Sequence, residues 1–309
     1  MKIAIMGSGG VGGYFGGMLA HAGEDVTFIA RGEHLRALRE NGLRVESVHG
    51  DFAVVPLQVT DDPATVGPVN LVIFATKTYH IDEAARAMRP FVGPNTAVLP
   101  LQNGVDAAER TAAILGPDPV LGGACWVVST IAAPGVIRQS SSFHRIVVGE
   151  FDGRITPRVE EIVAAFRRSG ISAEASSEIN KVRWSKFAFI AAFSSVGAVT
   201  RVPAGEIMAC AETRALLEGA VREVEAVARA ACVPLDPDVV PQTMEFCARL
   251  APDATASMQR DILEARRSEL ESIVGIVGRL GARLGVPTPV FRFLYAALLP
   301  QERRVTNSQ

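Results

Sequence analysis

The stretch Gly7-Ser8-Gly9-Gly10-Val11-Gly12 constrains this chain more than any other. An apolar run from Lys2 to Met6 leads into it, and a helical pattern through Phe15, Met18 and Leu19 leads out. A second apolar run, Asp25 to Ala30, ends at Arg31. Strand, G-x-G-x-x-G, helix and strand in that order read as a dinucleotide-binding unit. Gly7 permits the tight turn out of the strand, Gly9 lets the backbone approach a pyrophosphate, and Gly12 lets the helix pack close to the sheet. The helix N-terminus then turns N–H groups and the positive end of its dipole toward the phosphates. Ser8, Gly10 and Val11 complete the loop and are counted with the three glycines as cofactor-binding. The competing reading is a packing turn that holds no ligand.

The residue after the second strand chooses the cofactor. Enzymes preferring NAD carry Asp or Glu there, for the ribose 2′-hydroxyl. This chain has Ala30-Arg31-Gly32 instead. A guanidinium suits a 2′-phosphate by charge and by its planar donor fork, so the expectation is NADP(H). A solvated surface arginine is the alternative.

At 309 residues and a net charge of −2, the chain suits two domains of ordinary size and argues against a nucleic-acid or anionic-membrane surface. Its longest apolar stretch, Phe187 to Phe193, is far too short to span a bilayer. A core strand at residues 1–6 leaves no room for a signal peptide, so the expectation is a soluble, cytoplasmic protein. Cys125, Cys210, Cys232 and Cys247 are scattered and read as small buried apolar residues of a reduced compartment. The five histidines show no metal-ligand spacing, and no G-x-S-x-G marks a hydrolase nucleophile. No metal is expected.

Strand and helix alternate through residue 175, which predicts a mostly parallel sheet with helices on both faces. Leu43 to Val48 and Phe52 to Val59 read as a hairpin. From Glu178 the periodicity is helical, over 179–200, 203–231, 237–250, 258–284 and 288–299, with Gln301 to Gln309 a frayed polar tail. The fold class is therefore α/β: an N-terminal Rossmann-type sheet domain (1–177) followed by an all-helical domain (178–309). The sequence leaves monomer or homodimer open.

In an open parallel sheet, ligands gather outside the carboxyl ends of the strands. Lys77 and Asn103 stand just past two such ends. Lys77 suits cofactor phosphate or substrate carboxylate, and Asn103 suits the nicotinamide or the substrate; ordinary loop chemistry is the alternative for both. Of 31 lysines and arginines four are lysine (Lys2, Lys77, Lys181, Lys186), so a lysine marks a place needing a compact ammonium. Lys186 lies in the apolar helix Trp184 to Ile190, where a lysine is costly unless it faces a cleft or snorkels to water. Beside a nicotinamide it would protonate a carbonyl oxygen as hydride arrives. Positions 186, 190 and 194 share one helical face. Asp261 and Glu269 would share a face if one helix held both, and either could hold the lysine.

These residues resemble the ketopantoate reductases (2-dehydropantoate 2-reductases) over essentially the whole chain. The matching features are the G-x-G-x-x-G turn, Arg31, Lys77, Gln102-Asn103-Gly104, Trp184-x-Lys186, Ser257-Met258-x-x-Asp261, Glu269 and Gly285-Val286-Pro287-Thr288-Pro289. The resemblance implies NADPH-dependent reduction of a small-molecule 2-oxo acid to a 2-hydroxy acid, in pantothenate and coenzyme A synthesis. It implies Lys186 as general acid and Glu269 as its acidic partner. Asn103 would contact substrate and nicotinamide, Ser257 the substrate, and Arg31 and Lys77 the cofactor. The family places asparagines four and eight residues after the lysine; here they are Ile190 and Ser194, with Ser194 the remaining polar candidate for substrate. That departure keeps a second reading alive, a different 2-oxo acid, because a site that pairs a hydroxyl discriminates through polar contacts. A non-catalytic NADP(H) sensor is the third.

Overall fold

The structure is a computed structural model that describes residues 1–307. The chain divides into two units: Met1–Gln102 with Ala107–Ile179, and Asn103–Asp106 with Asn180–Gln309. Asn103 thus groups with the helical unit, although it directly follows a strand end of the sheet unit.

The sheet unit begins with β1 (Lys2–Met6), α1 (Gly10–His21), β2 (Asp25–Ile29), α2 (Gly32–Asn41), β3 (Leu43–Ser47), β4 (Phe52–Val54) and β5 (Gln58–Thr60). It continues through β6 (Leu71–Phe74), α3 (Ile81–Met88), β7 (Ala97–Pro100), α4 (Ala107–Leu115), β8 (Gly122–Trp126), β9 (Ser129–Ala133), β10 (Val136–Gln139), β11 (Arg145–Gly149), α5 (Pro157–Arg168) and β12 (Ser172–Ala175). Five strands pair in parallel in the order β5-β2-β1-β6-β7. Along β1 the side chains alternate: Ile3 and Ile5 join one core with α1, while Ala4 and Met6 join another with α3. The mostly parallel α/β sheet expected from the sequence is what forms.

The glycines of α1 have a packing cause beyond the cofactor motif. A Cβ on Gly16 would lie 2.7 Å from Ile5 of the parallel sheet, and one on Gly13 would lie 2.8 Å from Ile137 of β10. Gly17 likewise meets Leu43 of β3. The helix is sandwiched by the parallel sheet on one side and a second sheet, β4-β3-β10-β9, on the other. Small residues on both sides let the layers close, outweighing the poor helix propensity of glycine. The expected long strand Phe52 to Val59 is two strands. β4 pairs with β3 as predicted, but Pro56, which has no N–H for a ladder, intervenes, and β5 leaves to pair with β2.

The helical unit comprises α6 (Ile179–Thr200), α7 (Ala204–Ala209), α8 (Ala211–Ala230), α9 (Val239–Ala248), α10 (Ser257–Leu263), α11 (Ile276–Leu284) and α12 (Pro289–Thr306). Its core gathers Phe187, Ala188 and Ala191 of α6 with Leu217, Val221 and Val224 of α8 and Phe291, Leu294 and Leu298 of α12. Glu223 of α8 accepts from the N–H groups of Val290 and Phe291, capping the start of α12 at 2.7 and 2.9 Å. No helix among the described residues is long and apolar enough to cross a membrane.

Four expectations need correction. The 203–231 helix breaks at Cys210, whose backbone is extended (φ −87°, ψ 124°). The 258–284 helix breaks after Leu263, where Ala265 takes a left-handed φ of +51°. The tail is helical to Thr306 because Glu302 is held by the hydroxyl and N–H of Ser268, at 2.6 and 3.1 Å; Ser308 and Gln309 lie outside the described residues. Finally, Cys125 and Cys247 are buried but Cys210 and Cys232 are exposed, because both stand at helix ends. Burial pushes the Cys247 thiol up to about 12.

Candidate functional site

In the sheet unit, a cleft of about 250 Å³ opens at the carboxyl ends of β1, β2 and β6. Gly7, Ser8 and Gly9 form its floor, Arg31 one lip, and His80 and Glu83 the other. Gly7 has φ +101°, and a Cβ there would lie 2.7 Å from the Thr76 nitrogen; Gly7 is required by the turn itself. A Cβ on Gly12 would sit 2.1 Å from the Gly7 carbonyl, and one on Gly10 would sit 2.3 Å from the Ser129 carbonyl. Gly9 is different: its backbone is extended (φ −76°) and a Cβ there would meet nothing within 4 Å. No protein contact accounts for a glycine at that position, whereas a phosphate brought against the start of α1 would.

Ser8 ties the turn in place. Its hydroxyl donates to the carbonyl of Ile29 at 2.8 Å, so the side chain joins the ends of β1 and β2. Its carbonyl accepts from His34 Nε2 at 2.9 Å, and His34 Nδ1 accepts from the Gly135 N–H at 3.1 Å. Those partners require the neutral tautomer carrying its proton on Nε2. His34 therefore joins the glycine turn, α2 and the loop before β10. Sequence reasoning missed this role, since a lone histidine in a helix carries no signal for it.

Burial lowers the His34 pKa, against a smaller raising effect of the Ser8 carbonyl. A histidine whose folded pKa is depressed contributes stability that is complete above its unfolded pKa, about 6.5, and is lost as pH falls through the folded value. His34→Ala should therefore lower the melting temperature at pH 8, and the gap from wild type should shrink as pH falls below the unfolded pKa of about 6.5. Melting curves across pH 5–8 check this; a gap independent of pH would contradict the tautomer assignment.

Several buried side-chain polar atoms find no hydrogen-bond partner, and one of them belongs to Thr76, which lines the cleft. Among the described residues these include the hydroxyls of Thr76 and Ser129 and both side-chain atoms of Gln102. Thr76 and Gln102 follow the ends of β6 and β7, and unpaired buried polar groups are costly. A dinucleotide lying across the carboxyl edge of the sheet would offer them donors and acceptors. Together with Gly9, they show that the residues present fit such a cofactor. Thr76 was absent from the sequence candidates, and Gln102 entered only within the Gln102-Asn103-Gly104 motif; their place just past strand ends was the available signal. Lys77, half-buried, follows Thr76 directly and opens the short 3-10 turn Thr78–His80. Val11 lies in the first turn of α1.

Arg31 lies at the lip, 64% exposed, and pairs with Glu83 of α3 at 2.9 Å. The guanidinium beside Glu83 holds its carboxyl below the usual range, with His80, 3.6 Å away, adding to the effect.

In the helical unit, Lys186 Nζ donates to Asn103 Oδ1 at 2.9 Å. Two residues distant in sequence thus meet side chain to side chain. Around them, Arg183 of α6 donates to the Val105 carbonyl at 2.8 Å, fixing the Asn103–Asp106 segment on the helix. Gly104, at φ +121°, provides the turn and approaches the Ser272 carbonyl. Ile190, one turn after Lys186, packs on the apolar core, and Ser194 is buried.

Ser257 begins α10, and the rest of its motif is structural. Met258 is core, and buried Gln259 donates to the Val202 carbonyl at 2.9 Å while filling the space left by Gly197 of α6. Asp261 accepts from Arg266 at 2.9 Å across the chain reversal after α10. Asp261 and Glu269 do not share a helix, so the face they were expected to share does not exist. Glu269 is buried instead in the segment held by Ser268 and Glu302, and its carbonyl accepts from Ser272 and Ile273 as the π-helical turn Glu271–Gly275 begins.

A parallel-sheet unit with a phosphate-ready glycine turn, followed by a helical unit carrying a half-buried lysine on an apolar helix, defines a two-unit protein of the dinucleotide-fold class. The comparisons narrow that class. Residues 3–153 match the family description "Ketopantoate reductase PanE/ApbA" and residues 178–302 match its C-terminal counterpart. The chain is 31% identical over 300 residues to the uncharacterized oxidoreductase YkpB of Bacillus subtilis (strain 168), spanning 96% of this chain and 98% of that one. It is 30% identical over 302 residues to the 2-dehydropantoate 2-reductase of Nostoc sp., spanning 96% and 94%. Among solved structures, the PanE/ApbA family ketopantoate reductase of Ralstonia eutropha JMP134 superposes with a TM-score of 0.91 at 32% identity, over 99% of this chain and 100% of that one. The chain belongs to the ketopantoate reductase PanE/ApbA family, oxidoreductases acting on a CH–OH group.

Proposed function

We propose that this protein uses NADPH to reduce 2-dehydropantoate to pantoate, as a step of pantothenate synthesis, with Lys186 as the general acid. When bound, the cofactor supplies hydride to the carbonyl carbon. Lys186 gives its Nζ proton to the carbonyl oxygen, so the 2-oxo acid becomes a 2-hydroxy acid. Asn103 is a neutral acceptor; it orients the ammonium without taking its proton, and its amide N–H groups remain to meet substrate or nicotinamide. Glu269 is the acidic partner, and Ser257 and Ser194 are substrate contacts. Gly7, Ser8, Gly9, Gly10, Val11 and Gly12 hold the pyrophosphate, with Lys77 and Arg31 on the phosphates. The observation that carries the reading is the 2.9 Å pairing of Lys186 with Asn103. An ammonium on an apolar helix is costly, and its pairing with an amide from a strand-end motif is what a positioned acid requires.

A second reading keeps the chemistry and changes the substrate. Ile190 packs against apolar neighbours and offers no hydrogen bond where the family has asparagine, which favours a more apolar 2-oxo acid.

The cofactor assignment is tested at Arg31. Arg31→Ala should weaken NADPH by about ten- to a hundredfold, the scale of one charge-assisted hydrogen-bonding group. NADH should change by less than about twofold. Equal losses in fluorescence titrations would remove Arg31 from the 2′-phosphate.

A further inference from the structure

The lip of the cleft is closed by an ion pair whose two halves come from opposite sides of β1. Arg31 follows β2 and Glu83 stands on α3, which follows β6, and these two strands flank β1 in the sheet. Their side chains meet at 2.9 Å, with both residues lining the cleft. The neighbouring acid on α3, Asp82, is committed elsewhere: Arg110 donates to it at 2.9 Å. On α2, Glu33 pairs with Arg36. Glu83 is therefore the carboxylate that faces Arg31, with His80 3.6 Å away on the same side.

We propose that Glu83 is a specificity-determining residue for the cofactor, a built-in counter-anion that competes with a ribose 2′-phosphate for Arg31. The inference rests on the reading of Arg31 as the 2′-phosphate ligand. A dianionic 2′-phosphate reaches the guanidinium only by displacing the carboxylate from it. A cofactor with a free 2′-hydroxyl leaves the pair in place. Glu83 thus narrows the preference for NADPH over NADH that Arg31 by itself would confer. Because both side chains are more than half exposed, the pair is screened and its strength is that of a surface salt bridge. The effect is accordingly a modest, salt-dependent shift of cofactor ratio, of opposite sign to the loss of Arg31.

The test is a set of dissociation constants for NADPH and NADH, read from nicotinamide fluorescence without substrate, for wild type, E83Q, R31A and R31A/E83Q. E83Q should tighten NADPH by about two- to fivefold at low salt, the scale of one exposed pair, and leave NADH within experimental error. The gain should shrink at high salt and vanish when Arg31 is absent, so that R31A/E83Q matches R31A. If E83Q leaves NADPH unchanged or weaker while R31A still weakens NADPH selectively, the role of Glu83 is overturned and that of Arg31 stands. If E83Q weakens NADH, Glu83 is a ribose ligand and not a competitor. If R31A weakens both cofactors alike, the 2′-phosphate reading fails, and the competition with it. Glu83 is exposed and outside the core, so E83Q should fold as wild type, which its melting curve verifies.

Discussion

Replacing Lys186 by alanine should lower kcat by about 10²–10⁴-fold, the usual contribution of a general acid. NADPH affinity should stay within about twofold, because the glycine turn and Arg31 belong to the other unit. Melting should fall modestly, since the substitution removes the hydrogen bond to Asn103 and, in this account, the cation opposite the buried Glu269 carboxylate. Lys186→Arg is the informative companion. It keeps the positive charge but holds its proton too tightly to donate it, so it should not restore turnover. If the arginine variant recovered most of the rate, Lys186 would serve as an electrostatic anchor for the substrate carboxylate. Turnover at the wild-type rate in the alanine variant would remove Lys186 from the chemistry altogether.

The second large effect comes from adding the same methyl group at two positions of one motif. Gly12→Ala should destabilise the fold by about 3 kcal/mol or more, at the upper end of overpacking costs, because the new Cβ meets a backbone carbonyl 2.1 Å away and backbone cannot swing aside. Gly9→Ala should leave the melting temperature unchanged, since its Cβ would enter open space. It should nevertheless weaken NADPH by about tenfold or more, the new methyl holding the pyrophosphate off the N-terminus of α1. Thermal melts and NADPH titrations of the two variants separate a glycine required by the fold from one required by the ligand. Normal NADPH binding by Gly9→Ala would show that the phosphates lie elsewhere.

The glycine turn, the parallel sheet and the place of Arg31 were legible in the sequence because each depends on local pattern: period-two strands, a tight turn, and the first residue after a strand. The Lys186 helix was legible for the same reason, a lone charge in an apolar run. What could not be read depends on contacts made at a distance. The segment from Glu264 to Arg267 has helical composition, and nothing local announces the left-handed Ala265. The reversal is held by Asp261 on Arg266 and by Glu302 on Ser268. The same contact with Ser268 keeps the polar Gln301–Thr306 helical, with Pro300 inside the helix. Likewise, Gly13 and Gly17 of α1 answer to a second sheet packed against the helix, which no local pattern announces. His34 gave no hint of its part in bracing the turn, which arises from the fold bringing Ser8 and Gly135 to its two nitrogens.

The most direct measurement is NADPH oxidation at the nicotinamide absorbance with 2-dehydropantoate, beside a panel of other 2-oxo acids and with NADH as control. NADPH-dependent turnover of 2-dehydropantoate is expected, lowered about 10²–10⁴-fold in Lys186→Ala; turnover of another 2-oxo acid alone would keep the chemistry and make Ile190 and Ser194 the switch of substrate. Bound NADPH that no 2-oxo acid oxidises would contradict the proposed reduction.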